Sequence, residues 1–144
     1  MFLGQHHSPI DDHNRLAVPA RFRDQLAQGA YVTQGFDRSL LVLSAEAFQA
    51  ICARFTGLNI ADPLARLLQR MILGSASPLE LDADGRFVLP QELRAFAGLE
   101  AEAVLVGQGK YFEVWTPAMW QAQELRLQDA EANAERFAGL VVTA

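Results

Sequence analysis

Apolar and polar positions along the chain follow one pattern twice. The segment 10–19, IDDHNRLAVP, aligns with 81–90, LDADGRFVLP, so that an Asp, an Arg, a Pro and the apolar residues around them coincide at an offset of 71 residues. After a one-residue insertion, the match continues where segment 32–35 meets segment 104–107. A repeat of this kind predicts two copies of one supersecondary unit.

Both copies predict the same first elements. A short strand leads into an Asp-x-x-x-Arg turn, and the apolar residues after each turn predict further strands over 15–18 and 86–89. Pro19 and Pro90 are predicted to be first helical residues, because proline is favoured at that position. The copies therefore start with a strand, a turn, a strand and a helix.

Each copy is then predicted to continue with a β-hairpin and a closing helix. Alternating apolar residues place the hairpin strands over 31–33 and 40–43 in the first copy, and over 103–106 and 111–114 in the second. Ser44 and Thr116 follow these hairpins as predicted helix N-caps, since their hydroxyl groups accept bonds from backbone N–H groups. The large aromatic residues of the second copy fall on strand and helix positions, which favours core or interface over base stacking.

The remaining segments predict two more helical regions. Asp62 and Pro63 open an amphipathic helix with apolar residues every three or four positions, which is predicted to pack against a repeat or a neighbouring subunit. Residues 121–136 are rich in Gln, Glu and Ala and are predicted to be helical, and apolar residues 140–142 dock on a partner or fray. The predicted fold class is α+β, with domains at 1–60 (first module), 61–73 (connecting helix), 74–120 (second module) and 121–144 (C-terminal helix and tail).

Charge is distributed unevenly between the two halves. The net charge is −5, which by itself argues against nucleic acid as a partner. Residues 1–72 hold seven Arg and Lys against six Asp and Glu, whereas residues 73–144 hold five against eleven. Local charge decides binding, because salt screens charges beyond about 8 Å. The first copy is therefore the better candidate for a DNA contact.

Other features indicate a cytoplasmic protein. The sequence contains no run of about 18 apolar residues, so no membrane span is predicted. The first residues lack the basic and apolar regions of a secretory signal. The single cysteine, Cys52, cannot form an internal disulfide, which fits a reducing compartment.

The two turns carry the candidate chemistry. Asp11 and Asp82 are predicted to shape the turns by accepting backbone N–H bonds, while Asn14 and Gly85 occupy the position that needs a positive φ. Arginines follow at the turn exits, where a guanidinium can grip phosphate or guanine with two parallel hydrogen bonds. The alternative is an ion pair with the Asp four residues earlier. Repetition in both copies favours DNA contact by these two arginines, which are Arg15 and Arg86.

Three further arginines are weaker candidates. Arg21 and Arg23 complete the most basic stretch of the chain, and they either follow a phosphate backbone or lie on a solvated helix face with Arg23 paired to a carboxylate. Arg94 lies between Glu92 and Glu100, which favours an ion pair there. The repeat counterpart of Arg21 is Glu92, so the first copy is predicted to be the stronger DNA-binding half.

The combined pattern resembles a known family. Asp-x-x-x-Arg, apolar-x-apolar-Pro and a later Arg resemble the AbrB/SpoVT swapped-hairpin DNA-binding module. Two tandem copies after Met-Phe-x-Gly, with LGSAS at 73–77, LVGQ at 105–108 and FEVW at 112–115, are similar to the MraZ family over nearly the whole chain. The resemblance implies two β-rich modules in a pseudo-two-fold protomer. The sequence departs from the family pattern at Asn14, where glycine is usual, and at its N-terminal histidines, which the pattern does not include.

The resemblance also implies a function. Proteins of this family form ring-shaped homo-oligomers, expected here as octamers or dodecamers, and bind short direct repeats in double-stranded promoter DNA. Their target is the division and cell-wall gene cluster, including their own promoter, which implies a nucleoid-associated transcriptional regulator. Arg15 and Arg86 fall on the DNA-contacting positions of the motif, and Arg23 and Arg94 fall on its second arginine.

Two other functions remain open at this point. The acidic second half favours a swapped-hairpin scaffold or antitoxin-like partner that does not touch DNA. A metal-dependent enzyme would use His6, His7 and His13 with neighbouring Asp residues, but these lack the regular Cys/His spacing of zinc sites. Because nucleophile and phosphate-loop motifs are also absent from the sequence, we expect no enzyme activity, cofactor or metal.

Overall fold

The computed structural model describes residues 1–140, which form eight strands and six helices in an α+β fold. The first copy contributes β1 (Gln5–Pro9), β2 (Arg15–Ala17), α1 (Ala20–Leu26), β3 (Ala30–Gln34), β4 (Leu40–Ser44) and α2 (Ala45–Phe55). Between the copies lies α3 (Pro63–Ile72). The second copy contributes β5 (Ser77–Leu79), β6 (Arg86–Val88), α4 (Gln91–Ala97), β7 (Glu102–Gly107), β8 (Tyr111–Trp115) and α5 (Pro117–Leu127), and α6 (Ala130–Phe137) follows.

The two copies exchange strands within one sheet. Six antiparallel strands lie in the order β1-β7-β8-β4-β3-β5. The hairpins β3–β4 and β7–β8 meet at the centre, where Leu40 pairs with Val114. At the edges, β1 of the first copy pairs with β7 of the second, and β5 of the second pairs with β3 of the first. Neither copy could complete its part of the sheet alone.

A separate two-stranded ribbon joins the copies again. Strands β2 and β6 pair antiparallel, with Arg15 opposite Val88, Leu16 opposite Phe87 and Ala17 opposite Arg86. Leu16 and Phe87 are fully buried and belong to one large core cluster with residues from both copies. Because side chains alternate along a strand, the other four residues of the ribbon lie on its outer face.

Helix ends follow the capping rules, with one correction. Ser44, Thr116 and Asp62 cap α2, α5 and α3 through side-chain oxygens, as predicted. The prediction for the two prolines was wrong by one position. Pro19 and Pro90 are themselves the N-cap residues, with ψ of 144° and 136°, and the helices begin one residue later. This extended ψ keeps the prolines outside the first helical turn.

The C-terminal helical region is broken in two. Asp129 interrupts it, because its side chain accepts a bond from Ala132 N and starts α6 as a new helix. Helix α5 begins at Pro117, so the predicted boundary at 120/121 falls inside it. Trp120 of α5 packs with Trp115 in a buried second cluster, with ring centroids 5.7 Å apart. Of the apolar segment 140–142, residues 141 and 142 lie outside the described part.

Helix α3 has two apolar surfaces. Ala65 and Ile72 are buried against the chain, where Thr33 Oγ1 of β3 donates a hydrogen bond to the Ile72 carbonyl. Leu64 and Leu67 are 72% and 61% exposed. The predicted amphipathic helix therefore packs on its own chain with one side and leaves the other uncovered. Within residues 1–140, no helix is long and apolar enough to cross a membrane.

Candidate nucleic-acid interface

The two turns have the same backbone geometry. Asp11 Oδ1 accepts hydrogen bonds from the backbone N–H groups of His13 and Arg15, both at 2.9 Å. Asp82 Oδ1 accepts the equivalent bonds from Asp84 and Arg86 at 2.9 and 3.0 Å. Asn14 and Gly85 have φ of 62° and 74°, the left-handed conformation that these residue types tolerate best.

Each turn is also tied to the strand of the other copy. Val18 N donates to Gly85 O at 2.9 Å, and Leu89 N donates to Asn14 O at 2.8 Å. These reciprocal bonds use the carbonyl of the positive-φ residue on both sides. They place one turn at each end of the short ribbon formed by β2 and β6.

The motif arginines form an ion-pair network across this junction. Asp11 Oδ2 lies 2.8 Å from Arg15 Nε and 3.2 Å from Arg86 Nη1, so one carboxylate holds guanidinium groups from both copies. Asp82 Oδ2 lies farther from the same groups, 3.5 Å from Arg86 Nε and 3.7 Å from Arg15 Nη1. Asp84 adds a third carboxylate, at 3.0 Å from Arg86 Nη2. The ion pair that the sequence left as an alternative is thus present, and it crosses between copies.

Asp11 and Asp82, the aspartates that shape the two turns, stay ionised. The backbone N–H of Arg15, followed by that of His13 and the Arg15 guanidinium, lowers the pKa of Asp11 from 3.8 to about 2, although desolvation opposes the shift. The backbone N–H of Arg86 lowers the pKa of Asp82 in the same way. At neutral pH, two guanidinium groups therefore face three carboxylates, and the network by itself is not a basic patch.

Both arginines nevertheless reach the surface. Their side chains are 32% exposed for Arg15 and 27% exposed for Arg86, on the outer face of the ribbon. A guanidinium group carries five N–H donors, so the two carboxylates around Arg15 and the three around Arg86 leave some of these donors unused. The two motif groups are therefore held in place at a surface and keep donors for a ligand.

The other three predicted arginines have separate positions. Arg23 Nε donates to Val18 O at 2.8 Å, and its guanidinium packs so closely on Gly85 that a Cβ there would lie 2.1 Å from Nε. Arg94 donates to Glu100 O at 3.4 Å, and Arg21 is exposed near Gly4. Within the described chain, backbone carbonyls replace both the carboxylate that was one alternative for Arg23 and the ion pair that was favoured for Arg94. Arg23 therefore packs directly on a motif turn, at Gly85.

Asp84 is a site residue that sequence reasoning missed. It aligns with His13 in the repeat, and that difference in charge was visible in the alignment. The N-terminal histidines were candidate ligands only in the alternative of a metal-dependent enzyme. His6 packs edge-on against Phe22, with ring centroids 4.9 Å apart, and among residues 1–140 no group of His, Cys, Asp and Glu is placed to hold a metal.

Comparison with known proteins places this architecture in one family. Strands exchanged between tandem copies, with paired Asp-x-x-x-Arg turns, define a protein of two AbrB/SpoVT-like modules that share one core. A family model described as "MraZ protein, putative antitoxin-like" matches residues 1–71 and again 72–140. The chain belongs to the MraZ family.

Curated relatives cover nearly the full chain. "Transcriptional regulator MraZ" of Thermomicrobium roseum is 43% identical over 142 residues, which are 98% of this chain and 100% of the relative. The protein of the same name from Roseiflexus castenholzii is 42% identical over 138 residues, which are 96% and 94% of the two chains. Relatives named as transcriptional regulators therefore match both copies and both turns.

Proposed function

We propose that this protein is a sequence-specific DNA-binding transcriptional regulator. It acts in the cytoplasm, on the nucleoid, at short direct repeats upstream of the division and cell-wall gene cluster, including its own promoter. The observation that carries the proposal is the pair of motif guanidinium groups, Arg15 and Arg86, held side by side at the surface of a two-stranded ribbon. The names of the relatives support the same role.

The geometry of the ribbon suits the major groove of DNA. That groove admits a two-stranded β-ribbon, and an arginine there binds guanine O6 and N7 with two hydrogen bonds. Asp11 holds both guanidinium groups in a fixed orientation, so little side-chain entropy is lost on binding. The carboxylates also weaken attraction to phosphate, which favours base contacts over non-specific binding.

Two motif arginines per chain give a weak single contact, which favours a multivalent complex. Several copies that bind neighbouring repeats together gain avidity of about 10²–10⁴ over one site. We propose a ring-shaped homo-oligomer, an octamer or a dodecamer, as the binding species. Its requirement for direct repeats follows, because each subunit presents the same ribbon in the same orientation.

Exposed apolar helix surfaces support association of copies. Leu64 and Leu67 lie on α3, which packs near β3. Leu125 and Leu127 lie on α5, which packs near β7, and Phe137 lies on α6, which packs on α5. Strands β3 and β7 have β4 and β8 between them in the sheet. Helix α3 carries Arg66 and Arg70 and no carboxylate, whereas α6 carries Glu131 and Glu135 with one arginine, Arg136. Two different surfaces that match in this way produce a head-to-tail contact, which closes into a ring when the rotation permits.

A double variant tests the DNA contact. Arg15→Ala/Arg86→Ala is expected to abolish the shift of a duplex from upstream of the chain's own gene, while thermal unfolding shows a folded protein. The matched control is Arg54→Ala/Arg126→Ala, which removes the same charge from exposed helix positions and is expected to bind like wild type. An equal loss of DNA affinity in both double variants would show that binding depends on net charge and not on these two positions.

A helix-surface variant tests the oligomer. Leu67→Glu is expected to lower the mass measured by light scattering and to weaken binding to a duplex with two repeats far more than to one with a single repeat. Glu46→Gln, at an exposed position of α2, serves as the control and is expected to leave the mass unchanged. An unchanged mass for Leu67→Glu would exclude α3 from the interface.

The antitoxin-like alternative is favoured by one observation, the excess of carboxylates around the motif arginines. In that case the network is a binding surface for a basic protein partner. Wild-type protein would then fail to shift the upstream duplex at low salt, where DNA affinity is greatest.

A further inference from the structure

The outer face of the ribbon carries two apolar side chains beside the motif arginines. Its register places Arg15 opposite Val88 and Ala17 opposite Arg86, so these four residues share one face. Leu16 and Phe87, on the other face, are buried to 0% and 2% exposure. Val88 is 62% exposed, although it is a β-branched apolar residue next to a charged network.

This composition differs from that of an ordinary solvent-facing strand. Strands with one buried face normally alternate between apolar residues facing inwards and polar residues facing outwards. Here the two outer positions that are not arginine are Ala17 and Val88, one in each copy. An isolated exposed valine needs no explanation, but this one lies opposite a motif arginine on the face proposed to enter the groove.

The major groove offers one apolar group to such a side chain, the C5 methyl of thymine. Side chains opposite each other in an antiparallel pair have Cβ atoms about 5 Å apart, which is comparable to the step between neighbouring bases along a strand, about 3.4 Å. An arginine that binds guanine therefore leaves the opposite side chain over an adjacent base. Val88 has the size to cover a methyl group there, and Ala17 covers less.

We propose that Val88 is a specificity-determining residue that packs on the methyl group of a thymine next to the guanine bound by Arg15. Ala17 occupies the equivalent position beside Arg86 and makes the smaller contact. The inference rests on the proposed DNA-binding function. It adds the chemistry of recognition, in which each half of the ribbon pairs one charged and one apolar reader.

The test removes the methyl groups from the DNA. The upstream duplex is amplified with thymidine or with deoxyuridine triphosphate, and the affinities of wild type and Val88→Ser are measured on both. For each Val88 that contacts a thymine, wild type is expected to bind the uracil duplex about three- to fivefold more weakly, the effect of exposing roughly one buried methyl group. Val88→Ser is expected to bind both duplexes alike, because it has no methyl groups to lose a contact. The comparison between variants cancels any change in DNA shape.

Two controls keep the result interpretable. Phe36→Ser, at an exposed apolar position in the turn between β3 and β4, is expected to retain the wild-type difference between duplexes. Val88→Ala replaces Val88→Ser in the test if the serine variant folds poorly. Because alanine keeps one methyl group, this variant is expected to show a difference between the two duplexes that is smaller than in wild type and larger than in Val88→Ser.

The outcomes separate the two proposals. Equal binding of wild type to both duplexes, or an equal loss in wild type and Val88→Ser, overturns the role of Val88 and leaves DNA binding by the arginines standing. Failure of wild type to bind either duplex overturns the proposed function and this inference with it. The proposal is supported if Val88→Ser removes the difference in affinity between the thymine and uracil duplexes while Phe36→Ser leaves that difference unchanged.

Discussion

The first turn, residues 11–15, and the second, residues 82–86, share a backbone but differ in charge. Both have an Asp that accepts two backbone N–H bonds and a residue with positive φ. The third position is His13 in one turn and Asp84 in the other, so Arg86 faces three carboxylates and Arg15 only two. The same turn backbone thus holds two arginines that differ in how far nearby carboxylates neutralise them, and Arg15 is the less neutralised of the two.

The turns also differ in how much space surrounds them. Asn14 has room for its side chain, whereas Gly85 is covered by the guanidinium of Arg23 from the other copy. The second turn is therefore the more tightly packed of the two, and the first is the less neutralised. This comparison indicates that the second turn contributes more to the fold and the first more to DNA binding.

The largest expected effect separates the turns by packing. Gly85→Ala places a Cβ within 2.1 Å of Arg23 Nε and requires an L-residue at φ 74°. Together, overpacking and left-handed strain are expected to lower the free energy of unfolding by about 2–4 kcal/mol. Asn14→Gly, the matched change in the first turn, is expected to shift it by less than about 1 kcal/mol. Thermal or urea unfolding measures both, and similar losses in the two variants would contradict the difference in packing.

The next effect separates the turns by DNA affinity. Arg15→Ala is expected to weaken binding of the upstream duplex roughly 10- to 100-fold, the range for loss of one bidentate base contact. Arg86→Ala is expected to cost less than about fivefold, because Asp82 and Asp84 already neutralise it. A titration by fluorescence anisotropy measures both affinities at one salt concentration. A larger loss for Arg86→Ala would reverse the assignment of the stronger half.

The smallest effect concerns the carboxylates. The pKa of Asp11 is lowered in the folded protein, so its carboxylate stabilises the fold above about pH 4, and that contribution is lost as the pH falls towards its folded pKa of about 2. Asp11→Asn is therefore expected to be less stable than wild type at pH 5, with the difference shrinking towards pH 2. Asp82→Asn is expected to show a smaller difference, because its carboxylate lies farther from both arginines.

Unfolding monitored by circular dichroism from pH 2 to pH 5 measures this change. A difference between wild type and Asp11→Asn that stays constant over the range would show that the ionised carboxylate does not stabilise the fold. At neutral pH, Asp11→Asn is also expected to raise the affinity for a duplex that lacks the repeats at least about twofold, since it removes a charge that repels phosphate.

Much of the local structure could be predicted from the repeat. The hairpins, the caps at Ser44 and Thr116, and the α+β class follow from periodicity and turn chemistry, which depend on neighbouring residues. Element ends were less predictable. The prolines fell outside their helices, and Asp129 broke a segment whose composition predicted continuous helix, because a local side-chain bond competes with propensity.

In the candidate site, too, the local features could be predicted from the sequence and the contacts between copies could not. The sequence by itself determined that two equivalent Asp-x-x-x-Arg turns exist, since each turn closes through bonds within five residues. Only the tertiary structure decided that β1 and β5 change places between copies, that Asp11 binds arginines of both turns, and that Arg23 covers Gly85. These contacts between copies join residues 45 to 101 positions apart, and their energies depend on distances of a few ångströms that a one-dimensional pattern does not contain.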